Sequence, residues 1–270
     1  MKQLLTKKEE EILEQFKELL EFGSNIFIKH LKTDIGDGNY KKSFMSFYFG
    51  AIHNYSEAIY VLCKDSRPHA SIVLLRSIFE AFINVIYLTN TNSNLKIAKF
   101  TANDFEQRIK IIKQFKCFVT KYPDWKDKYG MTNIKNLDNL IELNQKNIDA
   151  IVKGNKFYKS TTIESDLRKR AEAYDKKAKS NGNWEFNYIL IYKYFSSFSH
   201  LSITGIESFV HEENGELCFD ISQSKRVKEH LITTFTIYIV LLNNIKKRNY
   251  IPRSVDLKKF NKQLGEMQKE

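Results

Sequence analysis

Between Ala70 and Thr89 the chain reads ASIVLLRSIFEAFINVIYLT, apolar at nearly every position, with Arg76 and Glu80 as its only formal charges. The run is too long for a strand and does not alternate, so it predicts a helix. On that helix Arg76, Glu80 and Asn84 fall at i, i+4 and i+8 and form one polar row along an oily cylinder. Opposite charges in such surroundings need mutual pairing and further hydrogen bonds, because an unpaired buried charge costs several kcal/mol, roughly. The row must therefore face another polar row, water in a cleft, or a ligand.

A second oily stretch, 184–210, offers an answering face. No formal charge occurs between Lys193 and Glu207, and Tyr188, Tyr192, Ser196 and His200 follow one another at spacings of four, with Thr204 extending the row. Hydroxyls and an imidazole are suitable hydrogen-bond partners for an Arg/Glu pair inside a helical bundle. The two rows are expected to pack face to face. A third oily helix is expected at about 224–248.

The remaining pattern predicts a helix from Thr6 to about Lys32, bent at Gly23-Ser24, and another from about Lys41 to Cys63. Ser66 is a candidate cap for the Ala70 helix, and Pro68 suits its first turn. More polar, amphipathic helices are expected at about 95–121, 135–152 and 163–179, forming a basic outer layer over about 95–180, with a final helix near 255–267. Asn214-Gly215, between short β-capable runs, predicts one small hairpin near 209–221. The fold class is all-α: a single multi-helix, bundle-like domain over 1–270 with three buried central helices. Only three prolines and ten glycines agree with long helices.

Three cysteines, Cys63, Cys117 and Cys218, are an odd and widely spaced set. They are expected to be free thiols in a reducing, cytoplasmic setting, and they form no zinc knuckle. The N-terminal MKQLLTKKEEEILEQF carries charges throughout and does not read as a secretory signal. Mid-run charges in the first two oily stretches, and the shortness of the third, argue for core helices and no membrane span. The formal charge is +11, and residues 96–185 hold 20 Lys/Arg against 12 Asp/Glu. Such an excess fits nucleic acid, RNA in particular, or another polyanion as a partner. The positives, however, are mostly Lys interspersed with acids, with no compact Arg cluster or aromatic-interleaved RNA motif, which favours a lysine-rich solvated surface. A protein partner or a homo-oligomer stays open.

Arg76 and Glu80 read either as an ion pair fixing helix register or as a ligand clamp and acid/base pair. His200, with Tyr192 and Ser196 beside it, reads either as a satisfied core histidine or as a general acid/base. His53 and Glu57 stand four apart, but the glutamates and Glu-x-x-His motifs of a di-iron bundle are missing, so no metal is expected. No G-x-G-x-x-G or P-loop lysine motif occurs, and no cofactor is expected.

The combination Leu74, Arg76, Ser77, Glu80, Ala81 with Tyr188, Tyr192, Ser196, His200, and with Arg170-Ala171 between them, resembles an all-helical bacterial family of unknown function. The resemblance covers about residues 42–211. It implies a shared fold and polar centre, and an association with phage-defence genes. Helical RNase domains of the HEPN type are a further analogy, but their R-x(4–6)-H motif is one residue longer than Arg226 to His230 here.

Two functions follow as expectations. One is a metal-independent hydrolase of an anionic, phosphodiester substrate, with Arg76, Glu80 and His200 catalytic and Tyr188, Tyr192, Ser196 and Asn84 orienting. The other is a non-catalytic sensor or interaction subunit whose polar centre is structural or binds a small anion.

Overall fold

The computed structural model describes residues 5–32, 40–90, 93–123, 134–156, 158–179, 182–194, 196, 210–213, 216–219 and 226–269. The chain is an all-α, multi-helix bundle with one two-stranded hairpin. Among the described residues the α-helices are α1 (Lys7–Ile26), α2 (Tyr40–Lys64), α3 (Pro68–Leu88), α4 (Ser93–Lys121), α5 (Ile134–Gly154), α6 (Leu167–Ala178), α7 (Asn183–Asn187), α8 (Val227–Lys247) and α9 (Lys258–Met267). Strands β1 (Val210–Glu213) and β2 (Glu216–Phe219) pair antiparallel, with Val210 opposite Phe219 and Glu213 opposite Glu216.

The chain divides into two compact units, one of residues 1–90 and 164–270, the other of residues 91–163. In the first, α2 and α8 both pack on α3, and α1 closes the group against α2 and α8. Its core includes Phe16 and Leu19 of α1, Phe49 and Ile52 of α2, Leu75, Phe79 and Phe82 of α3, and Phe235, Tyr238 and Leu242 of α8, each fully buried. A helix so largely apolar has to be covered on most of its sides, and α3 is packed by α2, α8, α6 and the turn that continues α7. In the second unit α4 and α5 pack on each other, and Lys116 of α4 bridges to Asp138 of α5 at 2.6 Å.

Local chemistry sets the helix ends. Thr6 and Glu9 form a reciprocal capping box at the start of α1, with Glu9 N donating to Thr6 Oγ1 at 3.2 Å and Thr6 N to Glu9 Oε2 at 2.8 Å. Ser66 does not cap α3. It sits at φ 59° and ends α2 instead, with its own N–H bonded to Cys63 O and the Arg67 N–H to Leu62 O, the two bonds of a left-handed helix stop. Pro68 does open α3, at a first-turn position that needs no N–H.

Gly23 makes room for a ring. A Cβ there would lie 1.8 Å from the Tyr238 hydroxyl, so only glycine lets α1 approach α8 at this level. The α-helical winding runs through Ile26 and then widens into a π-wound turn, Phe27–Leu31. The same widening follows α7, where Tyr188–Tyr194 is π-wound. Of the helix expected over 184–210, the described part is thus a short α winding followed by a π winding, with Ser196 helical; residues 197–209 lie outside the described residues, and Val210 belongs to β1.

Candidate functional site

The polar row of α3 is not a buried ion pair. Glu80 is exposed and Arg76 is half-buried, so the row emerges at the surface of the helix instead of being sealed within it. The reason is geometric: Ile78, Phe79 and Phe82 turn the fully buried side of α3 inward, while Val73 and Glu80 reach solvent. Ser77, beside Arg76, donates its hydroxyl back to Val73 O at 3.0 Å.

Arg76 answers to the tyrosine row. Its guanidinium carbon lies 4.5 Å from the centroid of the Tyr192 ring, and Tyr192 stacks on Tyr188 with centroids 5.3 Å apart and planes 19° from parallel. A guanidinium over an aromatic face is stabilised by about 0.5–2 kcal/mol, depending on solvent access. Arg76 Nε is buried without a hydrogen-bond partner among the described residues. The π winding keeps the two tyrosines, four residues apart, on nearly one face, as α winding would. Ser196 is helical and half-buried. His200 lies outside the described residues.

Asn84, the last member of the α3 row, has a different partner. It is buried, and its Oδ1 accepts from Arg170 Nη1 at 2.5 Å. Arg170 also donates through Nε to Glu164 O at 2.6 Å and through Nη2 to Ser165 O at 3.3 Å, tying the start of α6 to α3. Burial pulls the Arg170 guanidinium below the usual arginine value, while Tyr87, Glu80, Tyr48 and Asp166 act in the opposite sense. Glu80 therefore stands in the field of Arg170.

The wall behind this centre is built by α6 and α7. Asp175, buried on α6, accepts from Trp184 N at 3.0 Å and Glu185 N at 2.9 Å, so a carboxylate nine residues away caps the start of α7. Trp184 then packs on Phe82 of α3 at 4.6 Å. Arg168 joins the same two helices at the surface, its Nε and Nη2 both on Glu185 Oε1 at 2.9 and 2.7 Å. Burial pushes the Tyr188 phenol up, reinforced by Asp166 and Tyr192 and opposed by Arg168 and Arg76. Tyr188 thus stays a neutral hydroxyl at ordinary pH. Arg170, Asp166 and Asp175 lie outside the two oily stretches, and Tyr87, inside the first, has no place in its polar row; only the Arg170-Ala171 pair hinted at one of them.

The other candidate histidines serve the core. His53 is buried, with Nδ1 2.6 Å from the Tyr238 hydroxyl and Nε2 3.4 Å from Glu57 Oε1. Burial holds the His53 ring below its ordinary value against the pull of Glu57, and holds the Tyr238 phenol well above its own. A neutral phenol and a neutral imidazole thus share this hydrogen bond. His230 lies buried with Nδ1 2.8 Å from Ser71 Oγ, whose own proton goes to Pro68 O at 2.7 Å. His230 thus serves packing in the first turn of α8, which begins just after Arg226. Cys63 is buried and its thiol is pushed up to about 12, while Cys117 is exposed. Among the described residues no group of three or more His, Cys, Asp and Glu is placed to hold a metal ion.

The arrangement leaves two groups open to a ligand, the half-buried Arg76 fork and the solvent-facing Glu80 carboxylate, on a frame of tyrosines. A fork of this kind matches the paired oxygens of a phosphate or carboxylate. No curated protein and no solved structure matches the chain. A family model does match, over residues 42–217, and it takes in α2, α3, the α4–α5 unit, α6, α7 and most of the hairpin. The chain belongs to this family, the family of unknown function DUF5677.

Proposed function

We propose that the protein is a bacterial hydrolase of phosphodiesters, RNA above all, working in the cytoplasm as a defence or toxin component and using side chains alone. The observation that carries this reading is the opening of the α3 row, in which Glu80 is exposed and Arg76 half-buried beside it. A register-fixing ion pair would be closed on itself. In the mechanism Arg76 holds the non-bridging oxygens of the phosphate. Glu80 takes the proton of the attacking 2′-hydroxyl and His200 returns one to the departing 5′-oxygen, so charge and protons balance across the cleavage. Tyr192 and Ser196 orient the reacting groups, and Tyr188 and Asn84 hold the frame. The 14 Lys/Arg against 7 Asp/Glu in residues 91–163 support a polyanionic substrate.

A second reading rests on Asn84. Its carbonyl is spent on Arg170, so at least one member of the row is a packing device, as in a non-catalytic sensor or interaction subunit. One experiment separates the two. Wild type, Arg76→Ala, Glu80→Gln and His200→Ala are expressed, their folding compared by circular dichroism, and cellular RNA integrity and growth followed. The hydrolase reading expects RNA loss with wild type and at least a 100-fold reduction, roughly, in each folded variant. Folded variants that match wild type on RNA sink it. Unfolding of Arg76→Ala and His200→Ala, with Glu80→Gln silent, moves the assignment to the structural reading.

A further inference from the structure

We infer that the cleft between α6 and α8 is a binding site for a small phosphorylated ligand of mononucleotide size. Both helices pack on α3, yet they stand apart from each other and border a solvent-open cleft of about 480 Å³ that ends at Asn90, just past α3. That volume lies within the range of pockets for cofactor-sized molecules, about 300–1,000 Å³, and far exceeds the need of a bare phosphate.

The walls come from single helix faces. Val240, Asn243, Asn244 and Lys247 of α8 follow the i, i+3, i+4, i+7 spacing of one face, and Tyr174, Lys177 and Ala178 of α6 follow i, i+3, i+4. Asn244 Nδ2 donates to the Tyr174 hydroxyl at 2.9 Å and spans the cleft, fixing its width.

The charge is one-sided. Lys177, Lys247 and Arg248 line the cavity, and among the described residues no carboxylate does. Arg248 is the most informative of the three. Its Nη1 and Nη2 donate to Asn90 O and Asn90 Oδ1, both at 2.6 Å, and its Nε to Asn244 Oδ1 at 3.5 Å, so three neutral acceptors fix the guanidinium plane without neutralising it. An oriented cation with its charge uncompensated is prepared for an anion. Lysines are favoured in the last turns of helices for their own sake, which explains Lys177 and Lys247 one at a time. It does not explain their meeting across one concavity with a fixed arginine. Val240, Ala178 and the Tyr174 ring supply the apolar side that a nucleoside needs.

This site is separate from the α3 row. Asn90 lies 14 positions beyond Arg76, about 20 Å along a helix, so the inference stands whether or not the row is catalytic. The test uses the full chain in isothermal titration with adenosine 5′-monophosphate, adenosine and inorganic phosphate, at low and high salt. Lys177→Glu and Lys247→Glu are compared with wild type after their melting curves are shown to be cooperative; both lysines are exposed. The expected result is binding of the monophosphate that weakens with salt and falls at least tenfold, roughly, in each variant, with no binding of adenosine. No binding of the monophosphate at millimolar concentration, or equal binding by wild type and both variants, would overturn the site. Inorganic phosphate binding as tightly as the monophosphate would overturn the mononucleotide assignment.

Discussion

A methyl group at position 23 has nowhere to go, since it would overlap the Tyr238 hydroxyl, and that hydroxyl is held by His53. Gly23→Ala is expected to lower stability by about 1–3 kcal/mol through overpacking, read from urea denaturation. Tyr238→Phe combined with it should be less destabilised than the two single changes added together. A second residue-scale expectation concerns pH. Burial, helped by Arg226, lowers the folded His230 ring from about 6.5 to about 4. Between these values the unfolded chain takes up the extra proton, so this stability is complete above about pH 6.5 and is lost as pH falls to about 4, up to about 3 kcal/mol in all. His53, lowered by burial too, adds in the same direction. Urea titrations from pH 7 to pH 5 should show the loss, and His230→Gln should flatten it to the share of His53. The sequence showed that Arg76, Glu80 and Asn84 share one face, because helical spacing is local. It could not show that Asn84 answers to Arg170, 86 positions away, since nothing local links them.

At the scale of elements, most helices were legible because their apolar faces recur with a regular period, and α2, α4 and α5 begin and end within two residues of the sequence reading. The π windings after α1 and α7 were not legible, because one extra residue per turn barely shifts an i, i+4 row. The start of α6 was also read too early. Asp166, whose carboxylate accepts from Arg168 N at 2.7 Å, is its real cap, and residues 163–166 form the loop that Arg170 clasps. Helix α6 ends on Lys179 at φ 56° and ψ 41°, a left-handed conformation that costs an L-residue roughly 1 kcal/mol or more. Lys179→Gly is therefore expected to raise stability by about 1 kcal/mol and the melting temperature by roughly 2–4 °C in a thermal melt.

The whole molecule carries residues 91–163 as a unit inserted between α3 and α6. No stretch of linker composition marks the insertion, since the chain leaves a capped helix and returns through an ordinary polar loop. The points of departure and return are held together within the first unit: the Glu164 N–H donates to the Tyr87 hydroxyl at 3.0 Å, and Arg170 reaches Asn84. Replacing residues 91–163 with a short glycine-serine link is expected to leave a protein that still unfolds cooperatively, by circular dichroism in urea. A gradual, non-cooperative loss of signal would show that the first unit depends on the second. The charges on α3 matter before any of these contacts exist. By length and composition that helix could cross a bilayer, and it leaves the ribosome as a bare greasy segment. An arginine at mid-helix opposes translocon insertion by about 2.5–3.5 kcal/mol, so Arg76, with Glu80 one turn on, steers the newborn chain away from lipid and toward its own interior.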